Sequence, residues 1–213
     1  MRLGYLPLCA AAAMLAGCGS GSGNEAAGAA SVVPDWRSIA TTSDRHRLRE
    51  WRTAWVKALE LARASGHGQA LAQEGALLQP DAGLAWQDPP PGVYRCRTIK
   101  IGGQSEAMLD YIAYPWFDCR IRNEDGLMSF TKLTGSQRPI GLLFPYVGQR
   151  MVFLGTLQLG DESRALQYGR DTERDMAGVI ERIGEAKWRL VFPYPHFEST
   201  IDILELVPKS AAG

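Results

Sequence analysis

The chain has 213 residues, of which 46% are hydrophobic, and its 23 basic residues are balanced by 23 acidic ones. That balance leaves no global field to attract nucleic acid or an anionic bilayer, which excludes binding modes driven by a basic surface. Six Trp, seven Tyr and six Phe supply large side chains for a core.

Met1 and Arg2 precede a run from Leu3 to Ala16 that is apolar apart from Gly4 and Pro7. The run is shorter than the ~20 apolar residues that cross a bilayer as a helix, and small residues followed by cysteine close it. It reads as a cleaved signal peptide over residues 1–17. Leu15-Ala16-Gly17-Cys18 resembles the bacterial lipobox, in which the cysteine receives diacylglycerol on sulfur and an acyl group on the new amino terminus. Cys18 is therefore the expected lipid attachment site, and more than one acyl chain gives a stable anchor. The segment 18–34 begins with Gly, Ser, Ala and Asn, too little apolar bulk to pack, and is expected to be a tether. Gly19, in place of an acidic residue after Cys18, favours the outer membrane, with the protein facing the periplasm. Loss of Arg2 with the leader leaves a net charge close to −1. About 180 residues then remain beyond the tether, room for one ordinary domain.

"SDRHRLREWRTAWVKALELARASG" predicts one amphipathic helix. Ser43 or Asp44 caps it, Leu48, Trp51, Trp55, Leu59 and Ala62 form its apolar stripe, its arginines face water, and Gly66 stops it. A short helical piece over Gln69–Leu78 follows, and "QDPPPG" closes a helical segment spanning 35–88.

From Gly92 the texture becomes short β-rich runs. Strands are predicted over 93–101, 116–122, 127–133, 139–144, 151–159, 176–183, 188–192 and 201–207, inside an antiparallel β domain over 89–208, with a tail at 209–213. Met151, Phe153, Leu157 and Leu159 share one face with Gly155 among them, and Trp188, Leu190 and Phe192 share another. The expected fold class is α+β, mainly β: N-terminal amphipathic helices, then about eight strands in an antiparallel meander closed into a lipocalin-like barrel. The alternative is an open curved sheet packed on the helix.

Cys9 leaves with the leader and Cys18 takes lipid, so Cys96 and Cys119 remain. In an oxidising compartment they are expected to form a disulfide rather than a metal site, since no histidine lies near them.

"SFTK" at Ser129–Lys132 matches S-x-x-K, but that chemistry needs the two residues one helical turn apart. On a strand, positions three apart point to opposite faces. "LTGSQRPIG" reads as a hairpin loop whose Gln137 and Arg138 are candidates for a ligand rim. In "GDESRALQYGRDTERDMAG" the interleaved Arg164, Arg170 and Arg174 argue for a salt-bridged surface loop over a calcium site. His46, His67 and His196 are scattered, and only His196, near Tyr194 and Glu198, has candidate partners. The aromatic–proline runs "YPWF" and "FPYPHF" break ladder pairing. They either plug one end of the barrel, the plainer reading, or line its mouth, which would place Trp116, Tyr194 and His196 at a ligand or partner rim.

The phrases "DWRSIAT", "EGALLQPD", "YRCR", "FTKLTGSQRP", "RMVFLGTLQLGDE" and "GRDTERDMAG" together resemble a bacterial lipoprotein family known as domain of unknown function 4893. The resemblance covers about Asp35 to Val207 and implies an envelope setting, with no catalytic residue to carry over. Function follows from what the residues lack. Without a credible nucleophile, carboxylate pair or metal cluster, the chain is expected to be a non-enzymatic small-ligand-binding module needing no cofactor. A protein–protein interaction module of the envelope, acting as inhibitor or scaffold, is the alternative; a hydrolase assembled only in three dimensions, with His196 and Glu198, is the third reading. The membrane, through the lipid anchor, and a small ligand or an envelope protein are the expected partners; nucleic acid is not.

Overall fold

A computed structural model of the chain describes residues 34–148 and 150–209. The signal peptide, Cys18 and all of the tether before Pro34 lie outside the described residues, as do positions 210–213 of the tail.

Four helices, α1 (Trp36–Ile39), α2 (Thr42–Arg49), α3 (Trp51–Ala64) and α4 (Gly68–Gln73), and a 3-10 turn at Gly75–Leu78 come first among the described residues. The sequence predicts one helix where α2 and α3 stand. They part at Glu50, whose φ of −88° and ψ of 8° leave the helical region. The break has a packing cause. Leu48 joins Trp36 against Val152, Leu154, Ala177 and Val179, whereas Trp55, Leu59 and Ala62 join Ile99, Ile101, Ile201 and Ile203. Two separate apolar patches on the outer face of the sheet are thus covered. The cap is Thr41, whose Oγ1 accepts from the Asp44 N–H at 3.1 Å, instead of Ser43 or Asp44. Asp44 is buried, and Arg47, expected in water, is buried against it because the two form an ion pair. Gly66 ends α3 with φ +87° as expected.

The strands are β1 (Gly92–Gly103), β2 (Tyr111–Ala113), β3 (Phe117–Glu124), β4 (Leu127–Lys132), β5 (Gln137–Pro145), β6 (Arg150–Leu159), β7 (Asp175–Gly184), β8 (Lys187–Pro193) and β9 (Ser199–Pro208). Strands β1 and β3 to β9 pair antiparallel in sequence order, and β9 returns to pair with β1 from Tyr94↔Pro208 to Gly103↔Ser199. The sheet is therefore a closed eight-stranded barrel, not an open one, with helices packed against it. All eight predicted strands are present. Only β2 escaped, being three residues long and paired with the far half of β1 at Ile99↔Ala113.

The barrel encloses a packed core in place of a deep cavity. Tyr94, Cys96, Cys119, Phe130, Phe153, Trp188 and Leu190 are among its buried interior side chains. Gly141 and Gly155 face each other across β5 and β6, and Phe153 fills the space before them: a Cβ on Gly155 would meet Phe153 Cζ at 2.6 Å and the Ile140 carbonyl at 2.2 Å. Cys96 and Cys119 form a disulfide between β1 and β3, with their Cα atoms 5.9 Å apart. One end is closed by the proline-rich segment before β1. There Tyr94 donates to the Pro90 carbonyl at 2.6 Å and Trp188 Nε1 to the Gln87 carbonyl at 3.1 Å. The filling stops short of the other end.

Candidate functional site

Strand parity decides what faces that end. On β4, Met128 and Phe130 point into the core, so Lys132 does too, while Ser129 faces outward and donates to Glu124 at 3.0 Å. The S-x-x-K pair is split across the sheet as strand geometry requires. On β1, Tyr94 and Cys96 lead to Thr98 and Lys100, and on β9, Leu206 and Leu204 lead to Asp202. The apolar stripe of each of these strands thus ends in a charged residue at the same end of the barrel. They ring a cavity of about 150 Å³ whose walls include Phe117, Pro139, Leu157, Met176, Phe192 and Leu204.

The charges differ in how they are satisfied. Lys100 Nζ lies 3.1 Å from both Asp202 Oδ2 and Glu198 Oε2. Ser199 donates to the other Asp202 oxygen, and Gln137 Nε2 donates to Glu198 Oε1 at 3.2 Å. Burial works against the Lys100 ammonium, but the two carboxylates prevail and raise its pKa, keeping it charged. Lys132 is only 5% exposed and has no such partner. It donates to the Gln137 carbonyl at 2.9 Å and sits 3.9 Å from the Phe117 ring centroid, and among the described residues it makes no ion pair. Burial first, then the like charges of Lys100 and Arg138, lower its pKa to about 8. Gly135, with φ +92°, leaves room for it: a Cβ there would meet Lys132 Nζ at 2.8 Å.

Asp175, at the start of β7, also lines the cavity. Its Oδ1 accepts from the Gly169 N–H at 2.8 Å, while its buried Oδ2 has no partner among the described residues. Burial and the nearby Asp44 raise its pKa against the pull of Gly169 and Arg47. The sequence placed Asp175 on a surface loop; the structure buries it. Arg47 reaches across from α2 to the Asp175 and Tyr194 carbonyls at 2.9 and 3.2 Å. Elsewhere in that loop the expected surface pairing holds, with Arg174 and Glu162 3.0 Å apart.

The rim candidates divide. Gln137 and His196 line the cavity, and so do Tyr114, Phe192, Pro195 and Phe197 of the aromatic–proline runs. Trp116 lies outside the lining, its ring covered by Arg95 and Arg97 at 4.5 and 5.4 Å. Arg138 serves the scaffold: its guanidinium holds the carbonyls of Gly135, Leu159 and Glu162 at 2.7 to 3.1 Å. Tyr194 contributes its backbone, with φ +46°, to the β8–β9 loop at the mouth. His196 Nδ1 is 3.6 Å from Glu173, and Glu198 is committed to Lys100 and Gln137, so the pairing of His196 with Glu198 does not form.

Lys100 and Asp202 went unremarked in the sequence, Lys132 stood out only in the S-x-x-K phrase, and Asp175 only within the acidic loop. The signal available was a charge continuing an apolar face: Lys132 after Phe130, Lys100 after Cys96 and Thr98, Asp202 before Leu204. Together the groups form a small half-apolar chamber with one uncompensated ammonium, suited to holding a compact polar molecule.

Against known proteins, a family model described as a domain of unknown function, DUF4893, matches residues 36–206. No curated protein and no solved structure matches the chain.

Proposed function

We propose that this chain, which belongs to the DUF4893 family, is a binding protein of the bacterial envelope that holds one small ligand in the chamber at the open end of its barrel. Cys18 carries the lipid that anchors it, in the outer membrane with the domain facing the periplasm, and the segment up to Pro34 is the tether. The observation that supports ligand binding is Lys132. A buried ammonium without a counter-charge costs free energy, and natural folds retain such groups where something binds to them. The remainder of the interior is packed, so the ligand is small and does not thread the barrel.

The mechanism is capture, not conversion. Lys132 offers unpaired donors, the Lys100–Asp202–Ser199 network holds the wall rigid, and the β8–β9 loop carrying His196 and Phe197 frames the entrance. Extraction of the full-length protein from its own cells in mild detergent, followed by its mass under non-denaturing conditions, tests the proposal. A reproducible small added mass, lost on denaturation, is expected. A bare protein mass, or co-migration with a second protein, would favour a module that works through its surface.

A further inference from the structure

The enclosed charges that line the chamber are Lys100, Lys132 and Arg47, 5 to 6% exposed, and Asp202 and Asp175, 6 and 2% exposed. Asp202 is committed to Lys100, and Asp175 stands on a different strand, β7. Glu198 supports Lys100, but its side chain is 43% exposed and its second oxygen is taken by Gln137. Arg47 pairs with the Asp44 carboxylate and donates to the Asp175 backbone carbonyl, while the Asp175 carboxylate accepts from the Gly169 N–H. At the mouth, Glu173 stands beside His196. Of these three cations Lys132 is the one that makes no ion pair among the described residues.

The space beside it is mostly apolar. Phe117 carries the ammonium on its face, and Phe192, Leu157 and Met176 continue the wall. A cavity of about 150 Å³ accepts a body of roughly benzene's size. A single ammonium matches a single negative charge; a phosphate dianion would overcompensate it and would call for more donors than this wall leaves free.

Building on the binding function proposed above, we infer that the chamber takes a small organic monocarboxylate, its carboxylate on the Lys132 ammonium and its compact apolar body between Phe117 and Phe192. The ligand supplies the counter-ion that the fold withholds. Loss of a charge-assisted hydrogen bond to a buried group weakens binding by about tenfold or more, so neutral molecules of the same shape should be poor ligands.

Titration calorimetry on the full-length protein in detergent, freed of bound material, tests this with benzoate and hexanoate against benzyl alcohol, 1-hexanol and inorganic phosphate. The two acids are expected to bind one to one and the two alcohols about tenfold or more weaker. Lys132→Met is expected to lose acid binding by a similar factor while melting no lower than the wild type, which separates loss of the site from loss of the fold. Alcohols binding as well as acids, phosphate binding in preference to both, or undiminished acid binding by the variant would each overturn the inference. An extracted ligand that is not an acid would leave the binding function standing and reject only its chemistry. Protein that carries nothing from the cell and takes up none of the probes would reject both.

Discussion

Lys132 is a residue whose cost can be measured. Its pKa of about 8 in the folded protein, against an ordinary 10.5, means that the unfolded chain binds more protons between those values. Stability therefore rises with pH across that window, and below it the fold carries the whole penalty, on the order of 3 kcal/mol at most. Lys132→Met should raise the unfolding free energy at pH 7 by about 2 kcal/mol, with the gain vanishing as pH approaches 10.5. Urea unfolding of both proteins at pH 7 and pH 10 checks this; an equal or lower stability of the variant at pH 7 would show that the ammonium is satisfied. The sequence made Lys132 visible only as half of an S-x-x-K phrase. Its true neighbours, Lys100 and Asp202, arrive through pairing of β1 with β9, more than a hundred residues apart in the chain. Asp175 was harder still: its local context of Asp, Glu and Arg reads as solvent-facing, and its burial comes from Arg47 on α2, 128 residues away.

Individual elements are held by a few unusual pegs. Arg189 on β8 is fully buried and donates to the carbonyls of Ala76, Leu77, Gln79 and Pro80 at 2.7 to 3.0 Å, while its Nε and Nη2 reach Glu181 at 2.9 and 2.7 Å. Trp55 of α3 stacks on the same guanidinium at 4.4 Å and donates to Leu78. One side chain thus ties the 3-10 turn and α3 to the barrel. Arg189→Met should cost about 3 to 5 kcal/mol, since Glu181 keeps only Arg150 as partner in a buried setting; denaturant unfolding would measure it, and a cost below about 1 kcal/mol would contradict the role. Gly155→Ala should cost about 1 to 3 kcal/mol or more by pressing on the Ile140 carbonyl of β5 and on Phe153, seen as a lower midpoint with an unchanged slope. The strands were legible because β-rich runs are split by turn residues, with clear period-two alternation in places such as β4. The helix break was not, because nothing local at Glu50 announces that Leu48 and Trp55 serve different patches of the sheet's outer face.

At the scale of the molecule, closure of the barrel creates the site, since only a closed sheet brings β1, β4, β7 and β9 around one chamber. The disulfide between Cys96 and Cys119 closes a loop with a sequence separation of 23 and should contribute about 3 kcal/mol, so reduction should lower the melting temperature without opening the open end, where Lys132 lies. Cys18→Ala should move the protein from the membrane fraction to the soluble one; unchanged membrane association would reject the anchor. Closure was readable as an expectation, from strand number and short turns. What filled the barrel was not, because packed and hollow barrels share the same alternation. The barrel keeps a buried ammonium that has no ion-pair partner among the described residues, which suits it to an anionic ligand. The most direct test is the pH titration of the Lys132 side chain by NMR in protein with carbon-13-labelled lysine, free and with benzoate. The midpoint should lie near 8 in the free protein and move upward when benzoate binds. A midpoint at the ordinary lysine value in the free protein, or one that benzoate leaves in place, would contradict it.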